Sequence, residues 1–194
     1  AAGEELWRSD SDAICGPESV SVNPTDGSCW VAAGGYAVHL SKAGVELGRS
    51  DRSLFNYPWR VSVNPTDGSC WVADWNYSQV VHVVSGTAEA LWQSDSGAFL
   101  CPSSVSVNPT DGSCWVADYY HGQVVHLSAD WTPSGPASAE LWRSADGAFI
   151  RVESVSVNPT DGSCWVGGRG QVVHLSSAGE ELWRSASGAF ATSV

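Results

Sequence analysis

Histidine and cysteine are the residues of this chain best suited to bind a metal ion, and both recur at intervals: His39, His82, His126 and His174, with Cys29, Cys70, Cys114 and Cys164. A metal site needs ligands that converge within a few ångströms, whereas residues that occur once per repeat are spread apart. We expect packed, hydrogen-bonded histidines and buried free thiols. Nucleophile, zinc-protease, phosphate-loop and calcium-loop motifs do not occur, so the sequence predicts no metal site, no cofactor and no catalytic residue.

Two further cysteines, Cys15 and Cys101, stand outside the regular spacing. Antiparallel pairing about the turn NPTDG places Cys29 opposite Val22. Cys15 then lies roughly 20 Å away along the strand, beyond the reach of a disulfide. Bridges between repeats or between chains remain the alternative to free thiols.

A second kind of chemistry, binding through aromatic rings, is suggested by residues in segments that differ between repeats. These candidates are Trp59, Arg60, Trp75, Tyr77, Tyr119, Tyr120, His121, Arg151 and Arg169. Aromatic residues and arginine anchor protein interfaces, and aromatic rings also stack on sugars. Loops carry function more often than strands do. The alternative is sequence drift in loops under little constraint.

The elements that position these residues follow from an internal repeat. The string VSVNPTDGSCWV occurs four times without a change, at Val20–Val31, Val61–Val72, Val105–Val116 and Val155–Val166. Each copy is followed by a segment such as QVVHL and then by a relative of ELWRS. SVSV, SCWVA, QVVHL and ELWRS read as strands A to D, because their residues alternate or are β-branched and turn residues separate them. In NPTDG, Pro presets φ, Asp bonds locally and Gly accepts a positive φ.

Four short antiparallel strands per unit, repeated every 40–50 residues, are typical of an all-β propeller with four-stranded blades. We expect one domain over 1–194, with full blades at about 19–50, 60–94, 104–144 and 154–185. Residues 1–9 and 186–194 resemble strands D and A of incomplete blades. The recurring Trp residues of strands B and D should pack between blades, with Gly48 as the exception in strand D.

The loops between strands B and C and the segments leading into strand A share one face of such a propeller. Blades 2 and 3 place most of the candidate aromatic residues there. On the opposite face the NPTDG loops are identical, and the insertion at 129–138 is the one irregularity.

The order V-x-V-N-P-x-D-G-x-x-W-V-A-D, followed by V-V-H-L-S, resembles the NHL-repeat family of propellers over nearly the whole chain. The resemblance rests on the turn Asp-Gly pairs and on the V-A-D ends at Asp74 and Asp118; blades 1 and 4 carry Ala33 and Gly168 instead. The resemblance implies a propeller that binds protein or RNA, and some NHL relatives are lyases or hydrolases with metal sites.

Composition narrows the partners. The net charge of −12 argues against nucleic acid, whose phosphates need clustered Lys and Arg. No apolar run approaches the roughly 20 residues that cross a bilayer, so we expect no membrane insertion. Residues 1–9 lack a signal-peptide pattern. We expect an extracellular or cell-surface location.

Three functions follow from these features. The first is a non-enzymatic scaffold or binding protein that presents an aromatic loop face to a protein or carbohydrate ligand. The second is a structural repeat protein that assembles with copies of itself, through its incomplete terminal strands, into a larger ring or polymer. The third is a metal-dependent lyase or lactonase, for which Glu18 and Glu153 are the only carboxylates among the variable residues leading into strand A.

Overall fold

The computed structural model describes residues 5, 7–9, 14–129 and 140–190. Over these residues the chain forms sixteen strands in four antiparallel sheets, each in the order A-B-C-D. Blade 1 comprises β1 (Pro17–Val22), β2 (Cys29–Ala33), β3 (Tyr36–Leu40) and β4 (Glu46–Arg49). Blade 2 comprises β5 (Pro58–Val63), β6 (Cys70–Asp74), β7 (Gln79–Val83) and β8 (Ala90–Gln93). Blade 3 comprises β9 (Pro102–Val107), β10 (Cys114–Asp118), β11 (Gln123–Leu127) and β12 (Glu140–Arg143). Blade 4 comprises β13 (Val152–Val157), β14 (Cys164–Gly168), β15 (Gln171–Leu175) and β16 (Glu181–Arg184). The predicted propeller of four-stranded blades is therefore confirmed.

The turn NPTDG is built as its residues predict. In blade 1 the Asn23 side chain accepts the Thr25 N–H at 2.9 Å, and the Asp26 carboxylate accepts the Ser28 N–H at 2.8 Å. Gly27 takes a φ of 77°, which a residue with a Cβ rarely adopts. The turn sets the register that pairs Val22 with Cys29.

Each strand-B Trp stacks on the strand-C His opposite it. In blade 2, the Trp71 and His82 ring centroids are 4.3 Å apart with nearly parallel planes. Nε2 of His82 lies 2.8 Å from the Ser69 hydroxyl. The stacked Trp and His rings recur in the other three blades. The expectation of packed, hydrogen-bonded histidines is met, and burial lowers the pKa of His82 to about 4.

Neighbouring blades are joined by apolar clusters that combine the Trp face of one blade with the Cys and Val face of the next. Trp30 packs with Val63 and Cys70 across the first interface. The second and third interfaces repeat this arrangement with Trp71 and Trp115. The predicted packing of Trp between blades is confirmed, and each blade depends on its successor to bury its Trp.

Strand A also bonds to strand A of the next blade, through serine. The Val63 N–H donates to the Ser21 hydroxyl at 3.1 Å. The Val107 N–H donates to Ser62 at 3.0 Å, and the Val157 N–H to Ser106 at 3.0 Å. These N–H groups lie on the free edge of each sheet, where an unpaired donor would be costly. The polar positions of SVSV therefore satisfy the edge of the following blade.

The outer faces of blades 1 and 4 lack this partner among the described residues. Trp165 is 42 % exposed, whereas Trp30, Trp71 and Trp115 are fully buried. At the other end, Val20 and Val22 are 63 and 59 % exposed. The four blades thus form an arc with two unmatched faces.

The predicted partial strands at 1–9 and 186–194 lie in part outside the described residues. Residues 5, 7–9 and 186–190, the described parts of the two end segments, contain no strand. Trp7 nevertheless covers Gly44 of blade 1, just as Trp142 covers Gly179 of blade 4. The predicted insertion at 129–138 lies, except for Ala129, outside the described residues.

Gly48 departs from the Trp of the other strands D because another chain segment occupies its space. A side chain at Gly48 would overlap the carbonyl of Gly86, in the loop between β7 and β8. That loop inserts Ala88, which is fully buried in the first blade interface. The missing indole of blade 1 is thereby replaced by a loop of blade 2.

Cys29, Cys70, Cys101, Cys114 and Cys164 are free thiols, as expected. Cys70, Cys114 and Cys164 are buried, and burial raises the pKa of Cys164 to about 12. The expectation of burial is wrong for Cys29, which is half-buried. The physical reason is that Cys29 lies on the outer face of blade 1, where no preceding blade covers it.

The buried histidines make stability dependent on pH. His82 has a folded-state pKa of about 4, below its ordinary value of 6.5. Above pH 6.5 His82 is neutral in both states and its contribution to the free energy of unfolding is fully present. As pH falls towards 4, the unfolded state binds a proton that the folded state excludes, so the free energy of unfolding falls, by about 3 kcal/mol at pH 4. We expect the unfolding free energy to fall over this range by that amount less in His82→Gln than in the unsubstituted chain. Urea unfolding at pH 7, 5.5 and 4 measures the difference, and parallel pH profiles would contradict the assignment.

Candidate functional site

Five aromatic side chains, here called the aromatic surface, form a continuous strip on the face that carries the B–C loops: Tyr57, Trp59, Trp75, Tyr119 and Tyr120. The centroid of Trp75 lies 6.4 Å from that of Trp59 and 5.2 Å from that of Tyr119. Tyr57 and Tyr120 extend the strip at either side, at 5.5 Å from Trp59 and 4.8 Å from Tyr119. Offset and tilted rings at these distances attract one another.

Loop length explains why the strip lies on blades 2 and 3. In blades 1 and 4 the hairpin between strands B and C closes over two residues, since Ala33 pairs with Tyr36 and Gly168 with Gln171. In blades 2 and 3 four residues intervene between Asp74 and Gln79 and between Asp118 and Gln123. The longer loops hold Trp75, Tyr119 and Tyr120 at the surface.

Asp74 fixes the two segments that carry the blade-2 aromatic residues. Its fully buried carboxylate accepts four backbone N–H groups: Asn56 at 2.7 Å, Tyr57 at 3.0 Å, Asn76 at 3.1 Å and Tyr77 at 3.2 Å. One side chain thus ties the lead-in to β5 to the loop after β6. The rings of Trp59 and Trp75 are held beside each other by this anchor.

Asp118 anchors the corresponding loop of blade 3. Its carboxylate accepts the Leu100 N–H at 2.8 Å, and its Oδ2 lies 2.8 Å from Nδ1 of His121. Burial raises the pKa of Asp118, and the hydrogen bonds from Leu100 and His121 oppose that rise. His121 therefore supports the loop, with its side chain one-third exposed.

Charged groups flank the strip. The Arg60 guanidinium carbon lies 4.5 Å from the centroid of Trp59, and that of Arg151 lies 5.9 Å from Tyr119. The Tyr57 hydroxyl donates to Glu18 at 2.8 Å, and this hydrogen bond raises the pKa of Tyr57. Arginine over an aromatic face is a cation–π contact that holds both groups in place.

A cavity of about 270 Å³ opens within the strip. It is lined by Trp59, Arg60, Trp75, Ser103, Tyr119 and Glu153. Aromatic walls with a few polar groups are the usual composition of a small-ligand site. The cavity offers a guanidinium and a carboxylate beside three aromatic rings.

The structure brings together most, but not all, of the candidate residues. Trp59, Arg60, Trp75, Tyr119, Tyr120 and Arg151 meet at the aromatic surface, and His121 lies behind it against Asp118. Tyr77 is half exposed and lines a different cavity, of about 840 Å³, that runs between the outer strands of blades 1 and 2. Arg169 is exposed in the short blade-4 hairpin, where its N–H donates to the Ile150 carbonyl at 2.8 Å.

Tyr57 and Ser103 are not among the candidates from the sequence, and Glu153 is named there only as a carboxylate for a metal-dependent enzyme. Tyr57 lies in a variable lead-in to strand A, so the same comparison between repeats could have found it. Ser103 is small and polar and resembles its neighbours in strand A. Its place in the cavity becomes evident only from the fold.

No group of three or more His, Cys, Asp or Glu residues that could hold a metal ion is found within the described part of the chain. In the same residues no helix is long and apolar enough to cross a membrane.

The two carboxylate anchors can be compared directly. In Asp74→Asn the amide nitrogen replaces Oδ2, so a donor faces the Asn56 N–H, and a buried donor without an acceptor costs about 1–3 kcal/mol. In Asp118→Asn the new amide nitrogen faces Nδ1 of His121, a side-chain atom that can act as acceptor, so we expect a smaller loss. Urea unfolding measures both, and equal losses, or a smaller loss in Asp74→Asn, would contradict the role given to Asp74.

Comparison with known proteins supports the fold alone. No family model matches the chain, and no curated protein sequence does. Among solved structures, the chain is similar to the Kuenenia stuttgartiensis hydrazine synthase, with a TM-score of 0.72 and 13 % sequence identity. The match covers 94 % of this chain and 52 % of that one, so this chain spans about half the length of its structural relative. The chain belongs to the β-propeller fold, and its NHL likeness remains a resemblance in sequence.

Proposed function

We propose that this propeller is a non-enzymatic binding protein whose aromatic surface takes carbohydrate. The cavity within the strip carries the proposal, because three aromatic rings line it beside Arg60 and Glu153. A sugar ring has an apolar C–H face that stacks on an aromatic ring and hydroxyl groups that bond to charged side chains. The residues of the cavity offer both kinds of contact.

The size of the cavity favours a small ligand. At about 270 Å³ it lies just below the range of drug-sized sites, which begins near 300 Å³. Sugar units at the end of a glycan would enter it, and the exposed Tyr120 would contact the adjoining unit. A protein ligand is the second candidate, favoured by the cation–π pairing of Arg60 with Trp59, since Trp, Tyr and Arg dominate interface hot spots.

Other functions have less support. Single-stranded nucleic acid also stacks on aromatic rings, but its phosphates need a basic groove, and this chain has a net charge of −12. The hypothesis of a metal-dependent lyase or lactonase rests on the carboxylates of Glu18 and Glu153. Glu18 accepts a hydrogen bond from Tyr57, and Glu153 lines the cavity proposed for the glycan. An extracellular or cell-surface location suits a glycan-binding protein. Assembly through the terminal segments involves residues that lie largely outside the described ranges.

Trp75→Ala tests the carbohydrate proposal. Trp75 touches both Trp59 and Tyr119, so its loss breaks the strip. A stacked ring contributes up to about 1.5 kcal/mol, so we expect about tenfold weaker binding of a glycan identified by array screening. Tyr77→Ala, an exposed aromatic residue outside the strip, should bind as the unsubstituted chain does.

Calorimetric titration of both variants measures the effect, and circular dichroism checks that both fold. Unchanged glycan affinity in Trp75→Ala would rule out this site. Loss of a protein partner, with no glycan bound by any form, would favour the protein alternative.

A further inference from the structure

The two unmatched faces of the arc are the two halves of one interface that the protein already contains three times. Across each internal interface, a Trp of one blade packs on Val and Cys of the next, and serines of one strand A accept N–H groups of the next. Blade 4 presents the first half outward and blade 1 presents the second. We propose that blade 4 of one copy docks on blade 1 of a second copy of this chain.

The apolar part of the joint is Trp165 with Val20 and Val22. Trp115, the equivalent of Trp165 in blade 3, is fully buried against Val155, whose exposure is 7 %. Trp165 is 42 % exposed and Val20, the equivalent of Val155, is 63 % exposed. The same two side chains are therefore exposed at the ends and buried at every internal interface. Docking of copies buries both at once.

The polar part of the joint is equally complementary. Ser104 and Ser106 of blade 3 accept the N–H groups of Val155 and Val157 in blade 4, at 3.3 and 3.0 Å. Their equivalents on the outer face of blade 4, Ser154 and Ser156, are exposed. The corresponding N–H groups of blade 1 belong to Val20 and Val22. One end of the arc thus offers acceptors and the other offers donors at matching positions.

The NPTDG loops add a third contact of the same kind. Thr25 donates its hydroxyl hydrogen to the Pro65 carbonyl at 3.0 Å, and Thr110 to the Pro159 carbonyl at 3.3 Å. Thr160 of blade 4 and the Pro24 carbonyl of blade 1 are the next pair in this series. The twelve identical residues of each repeat give blade 4 and blade 1 the same Trp, Val, Cys, Ser and Thr residues that the internal interfaces use.

At the outer edge of the joint, Trp7 and Trp183 of a second copy compete for one position over Gly44. Trp7 covers Gly44 as the strand-D Trp of a preceding blade would, by analogy with Trp142 over Gly179. Docking in the internal geometry brings Trp183 of the second copy, which is 49 % exposed, to the place of Trp7. Both residues belong to copies of the segment ELWRS, so either Trp can cover Gly44 and the other is displaced.

The joint is head to tail, because its two halves differ. Such a contact closes into a ring when the rotation between copies allows it and otherwise extends as a filament. It cannot be satisfied by two blade-4 faces or by two blade-1 faces, since acceptors would meet acceptors and donors would meet donors. This polarity makes the proposal testable with two single variants.

Trp165→Arg blocks the blade-4 face and Val22→Arg blocks the blade-1 face. Both positions are exposed, so each variant should fold, which circular dichroism and urea unfolding check. In sedimentation velocity from 1 to 100 µM, we expect the unsubstituted chain to associate and each variant alone to remain at 20.5 kDa. A mixture of the two variants should form a species of twice that mass, because one free blade-4 face and one free blade-1 face remain.

An unsubstituted chain that stays at 20.5 kDa over the whole range would overturn the proposal. So would either variant that still associates alone, since the contact would then join like faces. A mixture that remains monomeric would also exclude the head-to-tail joint. Trp75→Ala serves as the control, because it removes an aromatic ring from the binding surface and should associate like the unsubstituted chain.

Discussion

The fold depends on the contact between one strand A and the next. Strand A lies at an edge of its sheet, and an edge strand has backbone N–H groups without a partner in its own sheet. The preceding blade supplies serine hydroxyls to these groups at about 3 Å, as Ser62 does for Val107. The same contact brings Trp, Val and Cys of adjoining blades together. Each blade is therefore completed by its neighbour, and a repeat alone would leave both faces unsatisfied.

This dependence explains why twelve consecutive residues are identical in all four blades. Ser, Thr, Trp, Val and Cys of the string each contact the following or preceding blade, so a change would need a compensating change in the neighbour. The loops between strands B and C contact residues that differ between blades, as Tyr119 contacts Arg151. Variation is concentrated there, and in blades 2 and 3 a buried Asp holds the longer loop in shape. The constant residues build the arc, and the variable ones build the surface that can differ in what it binds.

Much of this arrangement could be predicted from the sequence, because residues that recur at the same place in every repeat show which positions the blades share. The strands, the turns, the burial of Trp71 and the packing of the strand-C histidines follow from the alternation of residues and from residues that recur at the same place in each repeat. The clustering of Trp59, Trp75 and Tyr119 followed from comparing blades. The serine hydrogen bonds between blades could not be predicted, because a small polar residue in a strand does not show which neighbouring strand it contacts. Tyr77 was grouped with the others by loop membership, whereas its ring turns towards the groove between blades 1 and 2.

The replacement of a strand-D Trp by Gly48 has a consequence for how the gene can change. Near-identical units are readily lost or duplicated by recombination, since any two copies can align. Blades 1 and 2 resist such exchange because Ala88 of blade 2 fills the space that Gly48 leaves in blade 1. A chain that lost blade 2 alone would retain the gap without the loop that fills it. Loss of blade 3 or blade 4 would leave the contact between Gly48 and the loop of Ala88 intact.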